Sequence, residues 1–199
     1  MSEQFAAPVK SYIERFASWK NLALILLLSF PFNFYLFPHR SAALKAISNL
    51  SNPILDVQFL YSPSRVYHIL EALGPEGRWI YAFSESTIDL LFPLIYASFL
   101  RISLELIASG LPVSNNRIWR RLSSLPWLLM GMDYGENASL VALLLLYPKV
   151  ITPLAWLASA FSSIKLSLGL VCVVLVLIGF VGLLLRKALY PDSKGLGSR

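Results

Sequence analysis

The sequence predicts an all-α fold: a polytopic membrane bundle of four helices, with an amphipathic helix at the amino terminus and a helical first outer loop. Three observations predict it. Hydrophobic residues make up 56% of the 199-residue chain and charged residues 14%, whereas soluble domains carry about 25% charge. So few charges cannot cover a water-facing surface. Four stretches approach the roughly 20 apolar residues that a membrane helix needs at about 1.5 Å rise each. The basic residues flank these stretches, which makes anionic lipid headgroups, and not nucleic acid, the partner of the +6 net charge.

The elements follow in order. Ser2 to Lys20 places Phe5, Val9, Tyr12, Ile13 and Phe16 at helical spacing, with Lys10, Glu14 and Arg15 elsewhere, the pattern of an interfacial amphipathic helix. The spans are expected at about 21–38, 79–100, 125–147 and 164–185. The first contains Pro31 and crowds aromatics at its far end, as interfacial belts do. Its polar lead favours a retained anchor over a cleaved signal peptide. In the outer loop, Ser62-Pro63 marks a helix start and Gly74-Pro75 its end. Val66, Ile69, Leu70 and Leu73 share one face of that helix, and His68 reads as solvated. Lys149 to Phe161 is expected to lie in the outer interface. Residues 1–190 form one transmembrane domain, and 191–199 a flexible tail.

Orientation follows from the loop cations. Lys10, Arg15, Lys20, Arg101, Arg117, Arg120, Arg121, Arg186, Lys187, Lys194 and Arg199 fall on one side. Arg40, Lys45, Arg65, Arg78, Lys149 and Lys165 fall on the other. Both termini are therefore expected in the cytoplasm.

Acids interrupt the apolar spans. Glu85 and Asp89 are four residues apart on span two, and Asp133, Glu136 and Asn137 stand at i, i+3 and i+4 on span three, so each group shares a helical face. Counting inward, Asp89 and Glu136 both lie roughly 15 Å deep, near the middle of a core about 30 Å thick. Packed antiparallel, the two spans turn Asp89 toward Asp133 and Glu136. No basic residue is expected at that depth. Electroneutrality then needs protonated acids sharing hydrogen bonds with Asn137, Tyr96 or Tyr134, a cation or ligand amine among them, or a partner subunit's charge. Pro93, four residues after Asp89, should kink span two and free a carbonyl beside the acids. Gly169, Gly179 and Gly182 allow close helix contact in span four. A single cysteine, Cys172, excludes an internal disulfide. It reads as an inert core or lipid-facing residue. No cofactor, metal-ligand spacing or assignable catalytic residue is found. Asn49-Leu50-Ser51 is a glycosylation sequon, usable only in a eukaryotic secretory setting.

The run Tyr61-Ser62-Pro63, Val66-Tyr67, Leu70, Ala72-Leu73-Gly74, Glu76-Gly77-Arg78 and Tyr81 is followed by Asp89-Leu90-Leu91-Phe92-Pro93-Leu94 and Tyr96. Together with Asp133, Glu136 and Asn137, this pattern is similar to an uncharacterised family of small four-span integral membrane proteins. The resemblance covers about the middle half of the chain and implies a fold and a shared site, with no assigned activity. A weaker likeness, in topology and in the acid preceding Phe92-Pro93, is to the EXPERA group, which contains the sigma-2 receptor and the emopamil-binding sterol isomerase. It implies a lipid or amine pocket around intramembrane acids. The isomerase's catalytic histidine has no counterpart within these spans.

The sequence thus nominates Glu85, Asp89, Tyr96, Asp133, Glu136 and Asn137 as an intramembrane polar cluster. The expected function is non-catalytic: an accessory membrane component, or one that holds a lipid or an amphipathic amine. The alternatives are a small proton- or cation-coupled transporter and a lipid-modifying membrane enzyme. The expected partners are the lipid bilayer, such a ligand, and another membrane protein. A purely structural network competes with all of these, because polar side chains commonly join membrane helices.

Overall fold

The computed structural model describes residues 16–111 and 117–189. The expected amphipathic helix over Ser2 to Lys20 falls mostly outside them, as does the tail after residue 189. Among the described residues the chain is all-helical, with no strand. Helix α1 runs from Trp19 to Ser48, α2 is Pro63–Ala72, α3 Gly74–Gly110, α4 Arg117–Leu122, α5 Leu125–Leu146 and α6 Thr152–Leu189. Three of them, α1, α3 and α6, are long and apolar enough to cross a membrane. Helix α5 is not, because Asp133, Glu136 and Asn137 interrupt its apolar run. It packs on both α3 and α6, while α1 packs chiefly on α3.

Several helices overrun their expected bounds. The sequence ends span one at Pro38, yet α1 continues to Ser48. The reason is a wide π-helical turn over Phe32–Leu36, where Phe37 donates its N–H to the Phe32 carbonyl. That turn opens the ladder just ahead of Pro38, whose ring would otherwise press on the preceding turn. Of the expected interfacial stretch from Lys149 to Phe161, the residues from Thr152 on are the start of α6, with Pro153 in its first turn. Arg101, counted as a loop residue, lies inside α3 and pairs with Glu105 four residues on. Helices α3 and α6, of 37 and 38 residues, are each about 55 Å long.

The α2 end of the bundle, called upper here, has its own apolar core. Val66, Ile69, Leu70 and Leu73 are fully buried against Leu44, Leu55, Tyr81, Leu140 and Ala158. Ser62 caps α2 by accepting the Arg65 N–H at 3.2 Å. Gly74 then takes a φ of +60°, a conformation glycine adopts at little cost, and α3 departs in a new direction. His68 is exposed, as expected. Toward the lower end, α3 and α6 close on glycine. A Cβ added at Gly179 would lie 2.6 Å from Ile107 Cγ2, so only glycine admits this approach. Cys172 is buried near Leu100 and Leu129. The outer surface is apolar on every long helix, with Leu27, Phe34, Leu91, Leu128, Leu170 and Leu177 among the exposed residues.

Candidate functional site

Between the two ends lies a layer of buried charge. The carboxyl-bearing faces of α3 and α5 turn toward each other, and Pro93 explains part of the joint. Proline has no N–H to give the carbonyl four residues earlier, which is that of Asp89. Asn137 Nδ2 fills the vacancy, donating to Asp89 O at 2.8 Å. Tyr134 donates to the next carbonyl, Leu90 O, at 2.9 Å. It therefore serves the backbone beside Pro93 and does not bond to the acids, as the sequence had suggested it could.

The larger correction concerns the cations. Two basic side chains lie among the acids, and both had been placed on the outer side: Arg40 in a loop, Lys165 at the head of span four. Arg40, carried inward by the continuation of α1, is buried and pairs with Asp56 and Glu85 at 3.1 Å each, and with Asp89. Ser84 Oγ accepts from the same guanidinium at 3.2 Å. The rings of Phe37 and Tyr81 lie 5.3 and 5.7 Å from its Cζ, within cation–π range. Lys165, thirteen residues into α6, reaches Asp133 at 3.2 Å and Glu136 at 2.5 Å. Tyr96 donates to Asp133 at 2.7 Å. All six nominated residues are thus gathered here, in two groups organised by Arg40 and Lys165.

Asp56, on the segment between α1 and α2, joins the groups. Its carboxylate receives Arg40, and Tyr81 Oη at 3.0 Å, while its backbone carbonyl accepts from Lys165 Nζ at 2.9 Å. Burial opposes its ionisation, but the charges of Arg40 and Lys165 outweigh burial and hold it below the usual carboxylate range. Asp56, Arg40 and Lys165 were missed by the sequence reading. The available signal was an apolar stretch, Pro53 to Tyr61, with one acid in it. Asp56, Glu85 and Asp89 also bring one oxygen each within 4.8 Å of one another. That spacing suits a cation, and the cation held there is the Arg40 guanidinium.

The layer forms one end of a half-open cavity of about 820 Å³ between α1 and α6. Each wall changes character downward. On α3, Asp89 gives way to Phe92, Tyr96 and Phe99; on α5, Asp133 to Leu129; on α6, Lys165 to Gly169 and Val173. Phe92 stacks edge-on against Phe37 of α1 at 4.8 Å. In the layer five carboxyl groups (Asp56, Glu85, Asp89, Asp133 and Glu136) meet Arg40 and Lys165, and both bases are already taken up by acids. Of these acids Asp56, Asp89 and Asp133 line the cavity, together with Arg40, Lys45 and Lys165. Such a cavity can seat a polar head in its charged part and an apolar chain below. Comparison with known proteins finds no matching family model, no similar curated protein and no similar solved structure.

Proposed function

We propose that the chain is a multi-pass integral membrane protein in which α5 is a fourth span, and that its cavity binds an amphiphilic amine without transforming it. The carrying observation is the cavity's graded wall, charged above, where Asp56, Asp89 and Asp133 stand with Arg40, Lys45 and Lys165, and aromatic or aliphatic below. Helix α5 qualifies as a span because its polar face is turned onto α3 and α6, while Trp127, Leu128, Leu145 and Leu146 face outward. A membrane tolerates charge on a span that keeps it inside the bundle. Withdrawing Arg40 and Lys165 from the outer side, and Arg101 from the other, leaves Lys45, Arg65, Arg78 and Lys149 against ten. That imbalance supports cytoplasmic termini.

The headgroup follows from charge balance. Across the layer five carboxyl groups face two basic side chains, a shortfall that protons on the acids or an added cation can meet. An ammonium group relieves it; a phosphate worsens it. The test is thermal unfolding in nonionic micelles with dodecylamine or dodecyl phosphate. At 100-fold over its Kd a ligand adds about 2.7 kcal/mol. The amine should raise Tm by several degrees and the phosphate should not. Gly169→Leu, which fills the apolar end without touching the charged layer, should abolish the shift. Equal shifts from both amphiphiles, or a full shift in Gly169→Leu, would overturn the reading.

A further inference from the structure

We infer that residues 49–62, between α1 and α2, form a re-entrant segment whose tip, Val57, Phe59 and Leu60, sits among lipid chains of the outer leaflet and not in water. The inference rests on the four-span reading above. The segment is irregular; Asn49, Ser51, Asn52 and Ser62 at its two ends are exposed, but between them, over residues 53–61, polarity is inverted relative to a loop in water. Asp56, its only charged residue, is buried with Pro53, Ile54, Leu55 and Tyr61. The tip is exposed and apolar: Val57 at 59%, Phe59 at 63% and Leu60 at 66%.

Irregular backbone is tolerated at membrane depth where protein satisfies its polar groups. Here side chains of α3 and α6 supply several of those partners. The N–H groups of Leu60 and Tyr61 donate to Ser163 Oγ and Ser159 Oγ of α6 at 3.1 and 2.9 Å. Ser162 donates to Gln58 O at 2.9 Å, and Lys165 to Asp56 O. Leu55 N–H goes to Tyr81 Oη at 2.8 Å, and Gln58 Nε2 donates back to Ile54 O at 2.6 Å. The serines recur along one side of α6, whose neighbouring Trp156, Leu157 and Ile164 are exposed and apolar, so the tip continues a lipid-facing surface. Leu60 adds a second sign. It is a bulky residue at φ +49°, a conformation costing about 1–2 kcal/mol outside glycine, and it presents its side chain outward. Beneath the tip, Asn52, Ile54, Asp56 and Val57 line the cavity. The segment is therefore the cavity's roof, anchored to lipid beside its mouth.

The experiment is spin labelling of the full chain in liposomes, in a Cys172→Ser background that removes the one native thiol. Labels go to Val57→Cys, Phe59→Cys and Leu60→Cys, with Glu71→Cys on α2 as the aqueous reference and Leu177→Cys on α6 as the lipid reference. All five side chains are exposed, so labelling removes no core contact. The ratio of collisions with oxygen to collisions with a water-soluble nickel chelate should be severalfold higher at 57, 59 and 60 than at 71, and comparable to that at 177. Ratios at the tip matching Glu71→Cys, with a lipid-like Leu177→Cys, would overturn the inference and spare the four-span reading. A water-like ratio at 177 would remove both.

Discussion

In the layer just above Phe92 the helices are joined through buried charge, beneath the apolar core of the α2 end; in the lower half they are joined by apolar knobs on glycine. Arg40 ties α1 to α3 and to the 49–62 segment, and Lys165 ties α6 to α5. In the lower half Ile107 rests on Gly179, and Leu183 would meet a Cβ at Gly110 within 2.4 Å. The two modes differ in what they tolerate. Apolar packing loses stability in proportion to the volume misplaced, and its neighbours can partly adjust. A charge layer is less forgiving: remove one member and its partners lose their compensating charge in a largely buried setting. The upper half is also the more constrained in position, because a guanidinium shared by three carboxylates fixes three chain segments at once.

The sharpest way to break this contrast is Arg40→Met. It keeps roughly the aliphatic stem, removes the guanidinium and strands Asp56, Glu85 and Asp89, so stability should fall by about 3–5 kcal/mol, measured by reversible unfolding in mixed micelles. A loss below about 1 kcal/mol would show that the three acids do not depend on Arg40. Next comes Gly179→Leu in the lower half, an overpacking change expected to cost about 1–3 kcal/mol. It should leave the dodecylamine response intact, since the cavity wall nearest to it is Val173; a lost response would mean that the halves are mechanically coupled. The smallest effect sharpens the joint at Pro93. Asn137→Leu should cost roughly 0.6–1.7 kcal/mol, the range of polar contacts between membrane helices. In a Pro93→Ala background the N–H of residue 93 can serve Asp89 O, so the cost of Asn137→Leu should shrink toward zero. Equal costs in both backgrounds would separate Asn137 from the proline.

Parts of this site were legible in the chain. Spacing alone put Glu85 with Asp89, and Asp133 with Glu136 and Asn137, on single helical faces, and the i−4 rule for proline pointed to a freed carbonyl beside them. Those are local facts, set by 3.6 residues per turn and by proline's missing N–H. The cations were misplaced because the rules that end a span are also local. Pro38 reads as a stop unless a wide turn precedes it, and nothing in Phe32 to Leu36 announces one. Lys165 reads as the head of a span unless α6 is known to begin at Thr152. Asp56 lies on a segment with no periodicity, and its partners are 16 to 109 residues away in sequence.

By itself, then, the sequence determined the helical class, the apolar exterior, the cap at Ser62, the turn at Gly74 and the acidic faces of α3 and α5. Each depends on neighbours within about one helical turn, or on bulk composition. Only the tertiary structure decided that these acids are met by Arg40 and Lys165, that Asp56 joins the two groups, and that a cavity opens between α1 and α6. Charge compensation acts through space over a few ångströms, and the helix crossings that bring distant residues that close are set by packing of the whole bundle.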